Sequence, residues 1–257
     1  MENSVNMVKT SPSINISATG RKSLLNLFSV DILPNLSIRI PTVGEILEDE
    51  DSYYSIVSSL TATPFQYMVQ LDDMGIDYTK ITDYELFKIL FPMYAKSNLS
   101  ILFGDLNTSD FDVYINKQDD SQVIYSSAND IIIDELVYND LADIIRKINL
   151  LEKVKSKPGN ESARKYLLEK ERKKQKRNAK KKKEPYLEKM VIALVNTSEF
   201  PYDYDSCMNL SIYRFNQSFK QIQHKISFDN TMIGVYAGTV DTSKMSNKDA
   251  LSWIPNK

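Results

Sequence analysis

The stretch that decides the fold class is residues 99–127, LSILFGDLNTSDFDVYINKQDDSQVIYSS, where the spacing of apolar side chains changes. Its segments Leu99–Phe103, Phe111–Ile115 and Gln122–Tyr125 are separated by turns that contain Gly, Asn and Asp. Apolar residues at every second position are typical of strands that bury one face. We therefore predict a small antiparallel β meander here, with one further short strand at Leu36–Ile40.

Helix signals dominate the sequence that precedes this stretch. Thr42–Glu45 and Thr82–Glu85 have the spacing of a capping box, in which a Thr hydroxyl and a Glu carboxylate satisfy free backbone donors at a helix start. A helix between them is expected to begin at Pro64 and to stop near Gly75. Pro92 is expected to end the last helix of this group. The first third of the chain therefore predicts a compact helical cluster.

The sequence that follows the meander also has helical spacing. Apolar residues recur at helical intervals in Asp130–Leu151, Leu187–Leu194 and Ser206–Ile226. A short terminal helix is expected within Ser246–Ile254. These segments account for most of the remaining apolar residues, so helices should form most of the fold.

A strongly basic segment interrupts this pattern. Residues 153–183 contain fifteen Lys and Arg against three Glu, a net charge of +12; because the whole chain carries −2, the remainder carries −14. Asn160 is a suitable N-cap and Pro185 a suitable stop for a helix. No large apolar residue occurs from Glu169 to Lys183, so this helix must project into solvent or lie on a partner. The predicted fold class is α+β, mainly helical: helical clusters, a small antiparallel β meander and a projecting basic helix.

Four regions follow from these shifts in composition. Residues 1–22 are rich in Ser, Asn and Thr and predict a flexible tail. Residues 23–152 form a helical domain with the β meander, residues 153–185 a basic helical arm, and residues 186–257 a C-terminal helical region.

Several classes of protein are disfavoured by what the sequence lacks. No Gly-rich loop of the P-loop or Rossmann type is present. One histidine, His224, and one cysteine, Cys207, cannot assemble a zinc site of the usual kind. No apolar run approaches the ~18 residues of a membrane span, and the N-terminus lacks the pattern of a secretory signal. We predict no cofactor, metal or membrane association, and a cytoplasmic location.

Paired aspartates provide the sharpest enzymatic hypothesis. The pairs are Asp72–Asp73, Asp110–Asp112, Asp119–Asp120 and Asp203–Asp205. Two carboxylates can hold a divalent ion for phosphoryl chemistry, and the basic segment could hold a nucleic acid nearby. Aspartates are also ordinary turn and cap residues. We therefore predict no catalytic residue and keep a metal-dependent nuclease as an alternative.

The basic segment itself has two interpretations that the sequence leaves open. It could neutralise nucleic-acid phosphates, or it could dock on an acidic protein surface, including the acidic remainder of its own chain. Few aromatic residues flank it, which argues against stacking on single strands. The candidate contact residues are Arg172, Lys173, Lys174, Lys176, Arg177, Lys180, Lys181, Lys182 and Lys183.

The C-terminal region supplies candidates for a protein interface. The predicted helix Ser206–Ile226 has two fairly apolar faces, which indicates deep burial or an interface. The candidate interface residues are Tyr213, Phe215, Phe219 and Trp253.

Four segments carry a resemblance to a known kind of protein: Ile38–Ile46, Gly75–Phe87, Gly159–Arg164 leading into the basic helix, and the ending from Val235–Gly238 through Trp253–Ile254. With these segments the chain resembles structural or tail-assembly, chaperone-like proteins encoded in phages and prophages of low-GC Gram-positive bacteria. The resemblance implies a helical protein that binds tail-tube or tape-measure subunits, either as an assembly factor or as a minor virion component. It implies no catalytic residue.

The leading hypothesis is accordingly a non-enzymatic phage morphogenesis protein in the host cytoplasm or in the virion. It would bind another phage structural protein, of tail-tube or tape-measure type, through its apolar helices, with the basic arm adding electrostatic attachment. The alternative is a nucleic-acid-binding protein or a metal-dependent nuclease that uses the basic helix and the paired aspartates.

Overall fold

The computed structural model describes residues 4–5, 23–117, 120–180, 186–246 and 248–254. The predicted flexible tail, residues 1–22, lies outside these ranges except for Ser4 and Val5. These two residues form the short strand β1. Ten α-helices occur within the described ranges, and they confirm the predicted α+β, mainly helical class.

The helices follow one another along the chain with the strands grouped in two places. The helices are α1 Val43–Glu48, α2 Glu50–Leu60, α3 Met68–Asp73, α4 Asp83–Tyr94, α5 Ser100–Phe103, α6 Glu135–Ile148, α7 Glu161–Asn178, α8 Leu187–Val195, α9 Tyr204–Met208 and α10 Ile212–Tyr236. Short 3-10 helices are Leu24–Asn26, Thr242–Lys244 and Lys248–Leu251. The strands are β1 Ser4–Val5, β2 Ser29–Leu33, β3 Leu36–Arg39, β4 Asp112–Asn116, β5 Gln122–Ser126 and β6 Ile131–Ile133.

The strands form two small sheets. β2 and β3 make an antiparallel hairpin. β4, β5 and β6 make an antiparallel meander, and β1 pairs with β4 in parallel at its edge. The meander is thus present, but it is displaced by one strand from the prediction.

Two segments account for this displacement. Leu99–Phe103 was predicted as a strand, but Leu99, Leu102 and Phe103 are buried at helical spacing and α5 forms instead. Gly104 ends that helix with a φ of 63°. Conversely, Ile131–Ile133 was predicted as helix but alternates buried and half-buried residues as β6. Asp134 then caps α6, so the helix begins only after it.

Two helix boundaries that were predicted from prolines differ from those observed. Pro92 does not end α4, because it lies in the last turn and the Ala95 N–H still bonds to the Phe91 carbonyl at 2.7 Å. The helix expected from Pro64 begins at Met68, after a turn. Met68 and Val69 of α3 and Leu86 and Phe87 of α4 are buried.

The single helix predicted over Ser206–Ile226 is two helices, α9 and α10. Between them, the Val43 N–H donates to the Leu210 carbonyl at 2.9 Å and the Ile212 N–H donates to the Pro41 carbonyl at 2.8 Å. The chain here pairs with the segment before α1 instead of continuing its own helix. Ser211 then caps α10.

The main core surrounds α6, whose residues Leu141, Ile145 and Ile148 are fully buried. α6 packs against α2, α4, β6, the β2–β3 hairpin and α10. A second, smaller core contains Ala62, Met68, Val69, Leu71, Tyr78, Leu86 and Leu168. Leu168 comes from the basic helix α7, so this helix is joined to the fold through the smaller core.

Candidate functional site

Helix α7 is formed by local signals at its start. The Asn160 side chain accepts the Ala163 N–H at 2.8 Å, and Glu161 accepts two hydrogen bonds from the Arg164 guanidinium, each 2.8 Å. An acidic residue in the first turn and basic residues in the last turn both complement the helix dipole. The predicted cap at Asn160 is therefore observed, whereas the predicted stop at Pro185 lies outside the described residues.

Two arginines on one face of α7 hold it against the acidic surface of the same chain. Arg172 Nη2 lies 2.8 Å from Asp72 Oδ2 and 2.6 Å from Asp73 Oδ1. Arg164 Nη1 lies 3.5 Å from Asp77 Oδ1. The hydrogen bonds that Arg172 donates, first to Asp73 and then to Asp72, raise the pKa of Arg172. Arg172, one of the candidate contact residues, thus binds acidic residues of its own chain, which is one of the alternatives that the sequence left open.

Leu168 lies between these arginines and is 6% exposed. It is the buried residue of α7 over the helix's described length. Tyr78 belongs to the same smaller core, and its buried hydroxyl has no hydrogen-bond partner among the described residues. Burial raises the pKa of Tyr78, and the nearby Arg164 charge only partly opposes this effect. The docked face of α7 is thus the buried Leu168, with the half-buried Leu167 beside it, flanked by two arginine ion pairs. The Tyr78 hydroxyl in the same core gains no hydrogen bond from docking.

The opposite face of α7 carries cations that have no ion-pair partner among the described residues. At 100° per residue, Lys170, Lys173 and Arg177 lie on the side of α7 away from Leu168, and Lys180 follows them in the turn just after the helix. We call these four residues the outward stripe. All four are exposed, and every residue from Lys176 to Lys180 is exposed. The helix is therefore docked on the fold as far as Arg172, and its end from Lys176 onward projects into solvent.

The candidate contact residues named from the sequence include Lys173, Arg177 and Lys180 of this stripe but not Lys170. Of the other candidates, Lys174 lies 3.4 Å from Glu171, and Lys176 is exposed on the flank of the helix. Lys181, Lys182 and Lys183 lie outside the described residues. The spacing of Arg164, Leu168 and Arg172 at every fourth residue was the signal that separates the docked face from the free one.

The distal part of α10 forms a second exposed surface, of opposite chemical character. The buried residues of α10 are Ile212, Phe215 and Ile222, so the fourteen residues from Gln223 to Tyr236 extend about 21 Å beyond the last of them. We call residues 223–254 the C-terminal arm. Its exposed large apolar residues are Ile226, Ile233, Tyr236, Trp253 and Ile254, with Tyr236 84% exposed.

The C-terminal segment folds back along α10 and completes the arm. The Gln221 side-chain amide donates to the Trp253 carbonyl at 2.8 Å, and His224 Nε2 lies 2.7 Å from the Ser252 carbonyl. Gly238, with a φ of 72°, reverses the chain after α10. The lone histidine therefore has a structural partner in the arm.

The structure divides the predicted interface residues into three groups. Phe215 is fully buried in the main core, 6.3 Å from the Phe200 ring, and so cannot contact a partner in this conformation. Tyr213 and Phe219 are half-buried against the same core. Trp253 is 56% exposed on the arm. Phe215 lies on the core-facing side of α10 with Ile212 and Ile222, so deep burial, the alternative to an interface, applies to this residue.

The aspartates that suggested a nuclease have ordinary structural roles where they are described. Asp110 accepts hydrogen bonds from the Ser126 hydroxyl, and Asp203 caps α9 by accepting the Ser206 N–H. Asp119 lies outside the described residues. Within the described ranges, no group of three or more His, Cys, Asp or Glu residues is placed to hold a metal ion. Among the helices described, none is both long and apolar enough to cross a membrane.

The molecule is thus a mainly helical α+β protein that presents a cationic helix face and an apolar arm. Residues 179–256 match the family model described as the YomV second domain. The matched region contains the whole C-terminal arm and begins directly after α7, but it is under a third of the chain. The YomV name is associated with phages and prophages, so the match supports a prophage protein. No curated protein and no solved structure matches the chain.

Proposed function

We propose that this chain is a non-enzymatic phage morphogenesis protein that binds another virion protein through its C-terminal arm. The observation that carries the proposal is the exposure of five large apolar side chains on an arm that leaves the main core. Grouped apolar residues on a surface mark sites of protein association, whereas single exposed ones do not. The match to a phage-associated family lies in the same part of the chain.

Two lysines of the C-terminal arm are paired with aspartates of the same arm, which is compatible with a neutral, apolar interface. Lys225 Nζ lies 2.6 Å from Asp229 Oδ2, and Lys244 Nζ lies 3.2 Å from Asp241 Oδ2. Because these charges are balanced within the arm, association needs no charged partner surface. A tail-tube or tape-measure subunit is the partner proposed from the resemblance to tail-assembly proteins of low-GC Gram-positive phages. The protein would act in the host cytoplasm as an assembly factor or enter the virion as a minor component.

A metal-dependent nuclease is not favoured by any observation. Asp72 and Asp73 bind Arg172, and Asp110 and Asp203 accept hydrogen bonds from their own neighbourhoods. We therefore propose a binding role without a catalytic one.

The test is affinity purification from cells in which the phage that carries this gene is multiplying, with identification of the recovered proteins. The variant Ile233→Ser/Tyr236→Ser removes two exposed residues of the arm. The matched control, Met93→Ser/Leu136→Ser, removes two equally exposed apolar residues of α4 and α6. Nuclease treatment of each extract removes associations made through nucleic acid.

We expect an identified tail-tube or tape-measure protein to be recovered by the wild type and the control and lost with the arm variant. Recovery of that protein by the arm variant at the wild-type level would refute the role of the arm. Failure to enrich any tail protein would refute the proposed function. Immunodetection in purified particles then separates an assembly factor from a virion component.

A further inference from the structure

The cations of α7 are sorted by type between its two faces. Both residues that pair with acids of the fold are arginines, Arg164 and Arg172, while the outward stripe contains three lysines and one arginine. Arginine forms directional, multiple hydrogen bonds to carboxylates, whereas lysine acts as a hydrated point charge on a flexible stem. The arginines therefore fix the helix to the fold and leave the outward cations free for a separate partner.

The outward stripe has the composition of a phosphate-contacting surface and not of a protein interface. Lys170, Lys173, Arg177 and Lys180 enclose no apolar residue that a partner could bury, and the exposed Tyr166 stands at one end. The centres of protein–protein interfaces are depleted in charged residues, Lys above all. Protein–nucleic acid interfaces are much more positively charged, and contacts to phosphates need no apolar core.

The spacing of the stripe suits a duplex better than a single strand. Successive stripe cations are three or four residues apart, which is about 4.5–6 Å along the helix axis, and together they span about 15 Å. Single-strand binders combine cations with several stacking aromatic residues, which the stripe lacks. The remainder of the chain, outside residues 153–183, carries −14, so its net charge opposes the approach of a polyanion and the basic segment favours it.

We propose that the outward stripe of α7 binds the phosphate backbone of double-stranded nucleic acid without sequence specificity. This binding is distinct from the association of the C-terminal arm with a virion protein and does not depend on it. Four phosphate contacts give a slope of log K against log salt concentration of about −3 to −4. The affinity is therefore expected to fall roughly 60- to 250-fold between 50 and 200 mM salt.

The test is fluorescence anisotropy of a labelled DNA duplex of about 20 base pairs titrated with the full chain at several salt concentrations. The stripe variant is Lys170→Gln/Lys173→Gln/Lys180→Gln. The matched control is Lys96→Gln/Lys220→Gln/Lys248→Gln, which removes the same charge from exposed lysines elsewhere. All six positions are exposed, and circular dichroism and thermal unfolding verify that each variant keeps the wild-type fold.

We expect binding at 50 mM salt, the slope given above, and a slope shallower by about 2 to 3 in the stripe variant alone. An RNA duplex of the same length is expected to bind with a similar slope. The proposal is overturned by the absence of binding at 50 mM salt, by equal binding of the stripe variant, or by tighter binding of the matching single strand. A final experiment measures self-association of the chain alone by sedimentation. Self-association that disappears with salt and in the stripe variant would assign the stripe to the acidic surface of a second copy instead.

Discussion

Replacing Leu168 with alanine should release α7 from the fold without unfolding the rest of the protein. Leu168 is the buried residue that joins α7 to the smaller core, which also contains residues of α3 and Tyr78, and the half-buried Leu167 packs beside it. The arginine ion pairs on either side are open to solvent and screened by salt. An isolated helix of this length is marginal in water, so the detached segment should lose its helical structure.

The expected size of the effect follows from the burial of one leucine. Leucine to alanine in a core costs 2–5 kcal/mol, and the position of Leu168 at the edge of a small core places it at about 2–3 kcal/mol. Alanine is a strong helix former, so the change comes from docking and not from helix propensity. Opening of α7 should therefore become about 30- to 140-fold more frequent.

The assay is native-state hydrogen exchange of the backbone amides of residues 165–178, compared with the amides of α6. The control is Tyr166→Ala, which also introduces alanine but on the exposed side of the same helix, where Tyr166 is 64% exposed. We expect exchange in α7 to accelerate by the stated factor in Leu168→Ala and by less than about threefold in the control. Equal acceleration in both variants would refute docking through Leu168. Equal acceleration in α6 would show that α7 opens only with the whole fold.

Two further predictions concern the main fold. Tyr53→Phe removes the buried hydrogen bond from the Tyr53 hydroxyl to Asn149 Oδ1, 2.8 Å long, and should lower the free energy of unfolding in urea by about 1–2 kcal/mol, more than Tyr166→Phe. Burial raises the pKa of Glu45, but the hydrogen bond from the Thr42 N–H and the pairing with Arg39 outweigh burial and hold the folded pKa below its usual value. The ionised Glu45 therefore stabilises the fold fully at pH values above its pKa in the unfolded chain, and this stabilisation is lost as the pH falls through its pKa in the folded protein. Glu45→Gln should therefore destabilise by up to about 1 kcal/mol at pH 7 and progressively less towards pH 3, and a constant difference would contradict it.

Features encoded within a few residues could be predicted from the sequence. The capping boxes Thr42–Glu45 and Thr82–Glu85 both form, and Asn160 caps α7 as expected. Each of these interactions joins a side chain to a backbone group three residues away, so no distant part of the chain can alter it. The overall class was predictable for the same reason, because it depends mainly on local periodicity.

Features that depend on distant partners could not be predicted in this way. The separation of α9 from α10 depends on hydrogen bonds between the segments 41–43 and 210–212. The runs Leu99–Phe103 and Ile131–Ile133 are both too short for their periodicity to distinguish helix from strand. Tertiary burial decides between the two: the first run forms a helix although a strand was predicted, and the second forms a strand although a helix was predicted.

For the candidate surfaces, the sequence revealed the charge of α7 but not its direction. The fifteen cations of residues 153–183 form one charged segment in the sequence, and only the burial of Leu168 shows which face of α7 lies against the fold. The same limit applied to the C-terminal region, where Phe215 was grouped with Trp253 although one is in the core and the other on the arm. Which side of a helix is free depends on what packs beneath it.

The two surfaces should act independently because they rest on different cores. The outward stripe is positioned by Leu168 in the smaller core, whereas the arm is anchored by Ile212 and Phe215 in the main core. Changes at sites that share no contacts are additive to within about 0.5 kcal/mol. The arm variant Ile233→Ser/Tyr236→Ser should therefore bind the DNA duplex with wild-type affinity to within about threefold, and the stripe variant should still recover the virion protein. If either variant abolishes both activities, with its fold intact, the stripe and the arm form a single site and the separation proposed between them is wrong.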